Sequence, residues 1–249
     1  MAGGWTEHLL LFSAGCVAGV INVIAGGGSF LTIPLLIFLG LPPTTANYTN
    51  RICILFQNVG AVWTFNRHGV LDWRFFRRAA VPATLGSLLG AWGALSISDR
   101  AFQHLLVGLM VAVTLGTLWK PAHRRRPASP VEHRPLVVSA VFFAAGVYGG
   151  FIQAGVGFLL LAATTLAGLD LVRGNAVKVL SALTFTGLSL ALFAWRAHVV
   201  WPAGISLGLG TLVGGQAGVH LTVLRGHAWT RRVVSATVIL CAVALWMRG

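Results

Sequence analysis

Residues 19–51, GVINVIAGGGSFLTIPLLIFLGLPPTTANYTNR, form an apolar stretch broken at its centre by Ala25-Gly26-Gly27-Gly28-Ser29. The spacing predicts a broken helix. In hydrocarbon an exposed N–H or C=O costs several kcal/mol, so an unwound glycine tract at that depth must be buried in protein or line a watery cavity. The tract is therefore the first candidate for a site.

The rest of the chain places this stretch in a membrane. Of 249 residues, 56% are hydrophobic and 9% charged, with mean hydropathy +0.81. Soluble domains carry about 25% charged residues. Apolar segments fall at about 8–24, 29–40, 46–66, 76–95, 101–119, 136–152, 156–168, 175–195, 203–224 and 230–247. Their runs do not alternate polar with apolar residues, so a β-barrel is set aside. The first segment has no basic residue before it and no evident small-residue cleavage signal, so it is read as retained. Cys16, Cys53 and Cys241 stand singly, without disulfide or metal spacing.

Sliding the chain against itself by about 128 residues reveals an internal repeat. Gly19 falls on Gly146, Gly27 on Gly155, Gly40-Leu41 on Gly168-Leu169, Asn47 on Asn175 and Trp73 on Trp201. The expected organisation is a first transmembrane repeat over 1–119, a basic linker over 120–135 and a second repeat over 136–249. Segments 29–40 and 156–168 each follow a glycine tract and are too short for the ~20 residues a crossing needs. With five segments per unit, fourteen of the eighteen Lys and Arg lie on the linker's side; with four crossings the split is eleven to seven. The positive-inside rule then favours two inverted units and a cytoplasmic linker. A re-entrant pair followed by three spans has the same parity. The fold class expected is thus an all-α polytopic membrane protein of two inverted repeats, each a short broken helix pair followed by three long transmembrane helices. About eight full spans and two half-helices result. The net charge of +13 belongs to short loops and anionic lipid rather than to nucleic acid.

Inverted repeats with discontinuous helices bind substrate where the two broken segments meet. A half-helix N-terminus offers unpaired N–H groups and about half a positive charge, so Gly26, Gly27, Gly28 and Ser29 form one side of an anion cradle. Gln153, Gly155 and Gly157 form the other; the alternative is a packing kink without ligand. Asn22, Asn50 and Asn175 are polar groups within or opening apolar runs, expected to face the bundle interior. Arg51 and Lys178 either draw in an anion or snorkel to the interface. The five acidic residues, Glu7, Asp72, Asp99, Glu132 and Asp170, all lie at segment ends or in loops, which disfavours cation or proton carriers that use embedded carboxylates. Glycine pairs such as Gly15 with Gly19 and Gly86 with Gly90, and the run Gly210, Gly214, Gly218, read as close helix packing. No metal set, nucleotide loop or Ser-His-Asp grouping is seen, so neither a cofactor nor an enzyme is expected.

At these residues the chain resembles the TauE/SafE family of membrane transporters, the sulfite exporter or toluene-sulfonate-uptake family. The matching positions in the first unit are Gly19, Asn22, Ala25-Gly26-Gly27-Gly28, Pro34, Gly40-Leu41-Pro42-Pro43, Thr49-Asn50-Arg51 and Asp72-Trp73-Arg74. In the second they are Gly146-Val147-Tyr148-Gly149-Gly150, Ala154-Gly155-Val156-Gly157-Phe158, Gly168-Leu169, Lys178 and Trp201-Pro202. Arg51 stands where the family often has Lys, and Val70 where a His is common. The resemblance implies a multi-pass carrier in the cytoplasmic membrane for sulfite, a sulfonate or another small organic anion. Its partners are then the anion and the bilayer, with homo-oligomerisation left open. A non-transporting scaffold or accessory subunit is the alternative.

Overall fold

The computed structural model describes residues 4–118 and 135–225. The linker 120–135, apart from Pro135, and the segment 230–247 lie outside these residues. Among them are nine helices and no strand. These are α1 (Trp5–Ala25), α2 (Ser29–Phe38), α3 (Pro43–Arg67), α4 (Trp73–Ala94) and α5 (Asp99–Leu118), then α6 (Pro135–Ile152), α7 (Val156–Leu166), α8 (Leu171–Arg196) and α9 (Trp201–Arg225). Each matches an expected apolar segment to within about one turn.

The two short helices are about half the length a crossing needs. With 10 and 11 residues, α2 and α7 rise about 15–17 Å, roughly half the hydrocarbon thickness. Both end alike. Gly40 and Gly168 take left-handed φ of 95°, and the next N–H reaches back five residues, Leu41 to the Leu36 carbonyl and Leu169 to that of Thr164. This six-to-one bond is the C-terminal closure that glycine permits.

The breaks that precede them are not superimposable. In the first unit the left-handed residue is Gly26 (φ 87°), directly after α1; in the second it is Gly155 (φ 77°), directly before α7. The alignment of Gly27 with Gly155 therefore holds for the tracts but not for the turning residue. Three of the acidic residues prove to hold helix starts. Asp72 accepts the Phe75 N–H at 2.9 Å, Asp170 those of Val172 and Arg173, and Asp99 the N–H and hydroxyl of Thr44.

Packing is reciprocal between the halves. Helix α1 lies along α9 and α4 along α6, while α3 and α8 meet each other and back onto α9 and α4. Glycine dictates those contacts. A Cβ at Gly15 or Gly19 would strike the backbone of α9 near Leu207 and Thr211, and one at Gly86 or Gly90 that of α6 near Phe143 and Val147. Close backbone approach replaces the hydrophobic drive that lipid cannot supply.

By length and hydropathy alone, only Trp5–Ile24 and Val172–Arg196, each with mean hydropathy 1.7, qualify as spans among the described residues. That is fewer than the eight expected. Helices α3, α4 and α9 have 25, 22 and 25 residues, but α3 carries buried amides and a guanidinium, α4 opens with a basic turn, and α9 is rich in glycine.

Candidate functional site

The two breaks touch. A Cβ on Gly26 would overlap the backbone of Gly157, and one on Gly157 that of Gly26. Phe30, in the first turn of α2, packs where a Gly155 Cβ would stand. The two glycine tracts, 128 residues apart in sequence, thus form one crossing point inside the protein.

Each helix that ends at the crossing has its carbonyls taken by a cation from the other half. Arg51 on α3 is fully buried and reaches the end of α6. Its Nη1 donates to the Gly149 carbonyl at 2.6 Å and to Gln153 Oε1, and its Nη2 donates to the Gly150 carbonyl at 2.8 Å. One turn earlier, Asn47 Nδ2 donates to the Phe151 carbonyl at 2.9 Å. Lys178 on α8, 3% exposed, reaches the end of α1, where its Nζ donates to the carbonyls of Val23 at 2.8 Å and Asn22 at 3.3 Å. Neither cation snorkels. The last carbonyls of a helix lack intrahelical donors and carry about half a negative charge, so each cation meets a real electrostatic need.

The balance at the crossing is positive. Two full cations face two helix C-termini of about half a charge each, and the N-termini of α2 and α7 add positive ends of their own. The one ion pair among the described residues, Arg173 with Asp170, is exposed at the start of α8.

Beside the crossing is a cavity of ≈ 20 Å³, room for little more than a water-sized group. Of the residues marked by the sequence, Asn22, Gly26, Ser29, Gln153, Gly157 and Lys178 line it. Six others lie off it. Gly27 and Gly28 belong to the turn, and Gly28 presses against α1 at Ala18 and Asn22. Gly155 sits under Phe30, and Arg51 is committed to α6. Asn50 is held by the first turn of α2, donating to Ser29 Oγ at 3.2 Å and accepting from Thr32 Oγ1 at 2.5 Å. Asn175 is buried with its Oδ1 unpartnered.

Two lining residues escape a motif reading, Gln57 and Asn58 on α3. Gln57 Oε1 accepts from Asn22 Nδ2 at 3.0 Å, and Asn22 Oδ1 in turn accepts the Gly28 N–H at 3.2 Å. Asn22 therefore ties α3 to the start of α2. The signal for both was an amide pair inside the run ILFQNVGAV, since polar groups in a span face the interior. Across the crossing, Gln153 Nε2 donates to Thr186 Oγ1 on α8 at 3.2 Å.

Comparison with known proteins relates the chain to membrane transporters. A sequence model described as "Sulfite exporter TauE/SafE" matches residues 11–245. "Probable membrane transporter protein ORF9" of a Sinorhizobium species is 28% identical, covering 97% of this chain and 92% of its own length. A "Probable membrane transporter protein" of Haemophilus influenzae is 30% identical over 90% of this chain and 89% of its own. "Probable membrane transporter protein YfcA" of Escherichia coli K12 is 29% identical over 90% and 84%. No solved structure matches the chain.

Proposed function

The chain belongs to the TauE/SafE sulfite exporter family, and from that premise we propose that it carries a small anion, sulfite or a sulfonate, across the cytoplasmic membrane by exposing the cavity at the helix crossing to one side and then the other. The observation that carries the reading is a buried cavity edged by a lysine, a serine hydroxyl, amides and a helix N-terminus, with no carboxylate among its lining residues. Such a lining offers donors and positive charge to an oxyanion and little to a metal cation. Asn22, Gly26, Ser29, Gln153, Gly157 and Lys178 would face the substrate directly. Gly27, Gly28, Asn50, Arg51, Gly155 and Asn175 would hold the breaks that shape the site.

In this reading residues 1–119 and 136–249 are two inverted repeats, and the basic linker 120–135 is cytoplasmic. The reciprocal packing of α1 on α9 and α4 on α6 supports an exchange symmetry between the halves. The cavity is small, so carriage of an anion would require it to widen. An inside-negative potential favours anion exit by about 2.3 kcal/mol per charge per 100 mV, so export would need no coupling ion.

The test is uptake of radiolabelled sulfite and methanesulfonate by vesicles containing the purified protein, with the membrane potential set by a potassium gradient. The expected result is anion flux that follows the potential and falls at least tenfold in Gly157→Leu, a variant checked for insertion and monodispersity. Absence of flux for both anions from folded wild-type protein would overturn the proposal.

A further inference from the structure

On the reading of the crossing as a transport site, we propose that Asn58 is its substrate-reading side chain, placing a carboxamide donor beside Lys178 to hold one small oxyanion.

The argument begins with an unmet hydrogen bond. Asn58 is 2% exposed, it lines the cavity, and its Nδ2 has no partner among the described residues. The donors of its buried neighbours on α3 are used, Asn47 Nδ2 on the Phe151 carbonyl and Asn50 Nδ2 on Ser29, and Gln57 Oε1 accepts from Asn22. Leaving a buried donor unpaired costs about 1–3 kcal/mol, and replacing it by an apolar group of the same shape is neutral or stabilising. A donor kept at that expense on a cavity wall has its partner in what enters the cavity.

The remaining walls specify the partner. Lys178 also lines the space, and of its three ammonium N–H groups two are used on the Val23 and Asn22 carbonyls. The third is left for a ligand. The Ser29 hydroxyl accepts from Asn50, so its own hydrogen is left to donate. Ile54, Val156, Val179 and Ala182 are the apolar part of the lining, beside the amides of Asn22, Gln57 and Gln153. Donors to a charged acceptor form bonds about twice as strong as neutral ones, and burial strengthens them further. Three donors bordering the cavity, one of them the Lys178 ammonium, suit a compact anion presenting several oxygens. They do not fit a cation.

Two variants separate recognition from structure. Asn58→Leu keeps the shape and removes the donor; Asn58→Asp keeps the shape and turns the donor into an acceptor facing Lys178. Both are read by the KM and maximal rate of sulfite flux in vesicles, and by the sulfite-dependent rise in melting temperature of the detergent-purified protein. For Asn58→Leu the expected result is a KM at least tenfold higher, a smaller change in maximal rate, and a ligand-free melting temperature no lower than that of wild type. For Asn58→Asp, flux and the sulfite-dependent shift should both vanish. An unchanged KM in Asn58→Leu, or a ligand-free melting temperature that drops with KM intact, overturns the role of Asn58 while leaving the transport reading standing. A wild-type protein with neither flux nor melting shift overturns both.

Discussion

At the end of α6 a guanidinium on α3 meets three acceptors, while at the end of α1 an ammonium on α8 meets two. The helices are equivalent by sequence repeat, and the cations come from matching turns of α3 and α8. Their chemistry differs. The planar fork of Arg51 lies along the carbonyl rim of α6, with Phe193 5.2 Å from its centre, and does not line the cavity. Lys178 is a point charge with three rotatable donors; two close α1, and the group still borders the cavity. One cation is used up on a helix end, and in the proposed reading the other keeps a charge for a ligand. In the proposed reading, the choice of arginine or lysine divides labour between the two breaks.

The most direct way to break this comparison is to exchange or remove the cations. Arg51→Met strips donors from two buried carbonyls and Gln153 and should cost about 3–5 kcal/mol, read as a large fall in melting temperature or loss of accumulated protein. Lys178→Met removes fewer bonds and should cost about 2–3 kcal/mol while abolishing flux. If Arg51→Met spared stability but lost flux, the assignment of the two roles would be reversed.

The glycines of the breaks sharpen the contrast next. Gly26→Ala combines a left-handed φ with overlap on Gly157, and should cost about 3 kcal/mol or more. Gly40→Ala has the same backbone handedness but open space around it, and should cost only about 1–2 kcal/mol. Equal melting temperatures for the two variants would show that the backbone contact at the crossing is not tight. The smallest effect belongs to the periphery. Arg173→Ala breaks an exposed pair at 3.4 Å and should change stability by about 0.5 kcal/mol or less, with KM unaltered.

The helices, their order and the two shortened elements were legible from apolar runs, because in hydrocarbon a helix must satisfy its own backbone and its length is set by the bilayer. The glycine pairs announced their contacts equally well, since a missing side chain at every fourth residue has one dominant use between packed helices. The acidic residues were visible as segment-end groups, and capping explains three of them.

What the sequence left undetermined was which polar group faces which. Arg51 and Lys178 read as free cations near the breaks, yet a long side chain on one helix can reach any neighbour within several ångströms, and periodicity does not say which neighbour that is. Asn58 looked no different from Gln57, its neighbour in the same run. Only the packing of α3 against α1 and α8 shows that Gln57 has a partner and the Nδ2 of Asn58 has none. By itself the sequence determined where the chain must be helical, where it must break and where glycine must sit, because those are local demands of backbone geometry and solvent. The tertiary structure alone decided that the breaks meet, that each is closed by a cation from the opposite half, and that one cation is left beside a cavity. Those outcomes depend on distances between segments about 128 residues apart, which no local preference encodes.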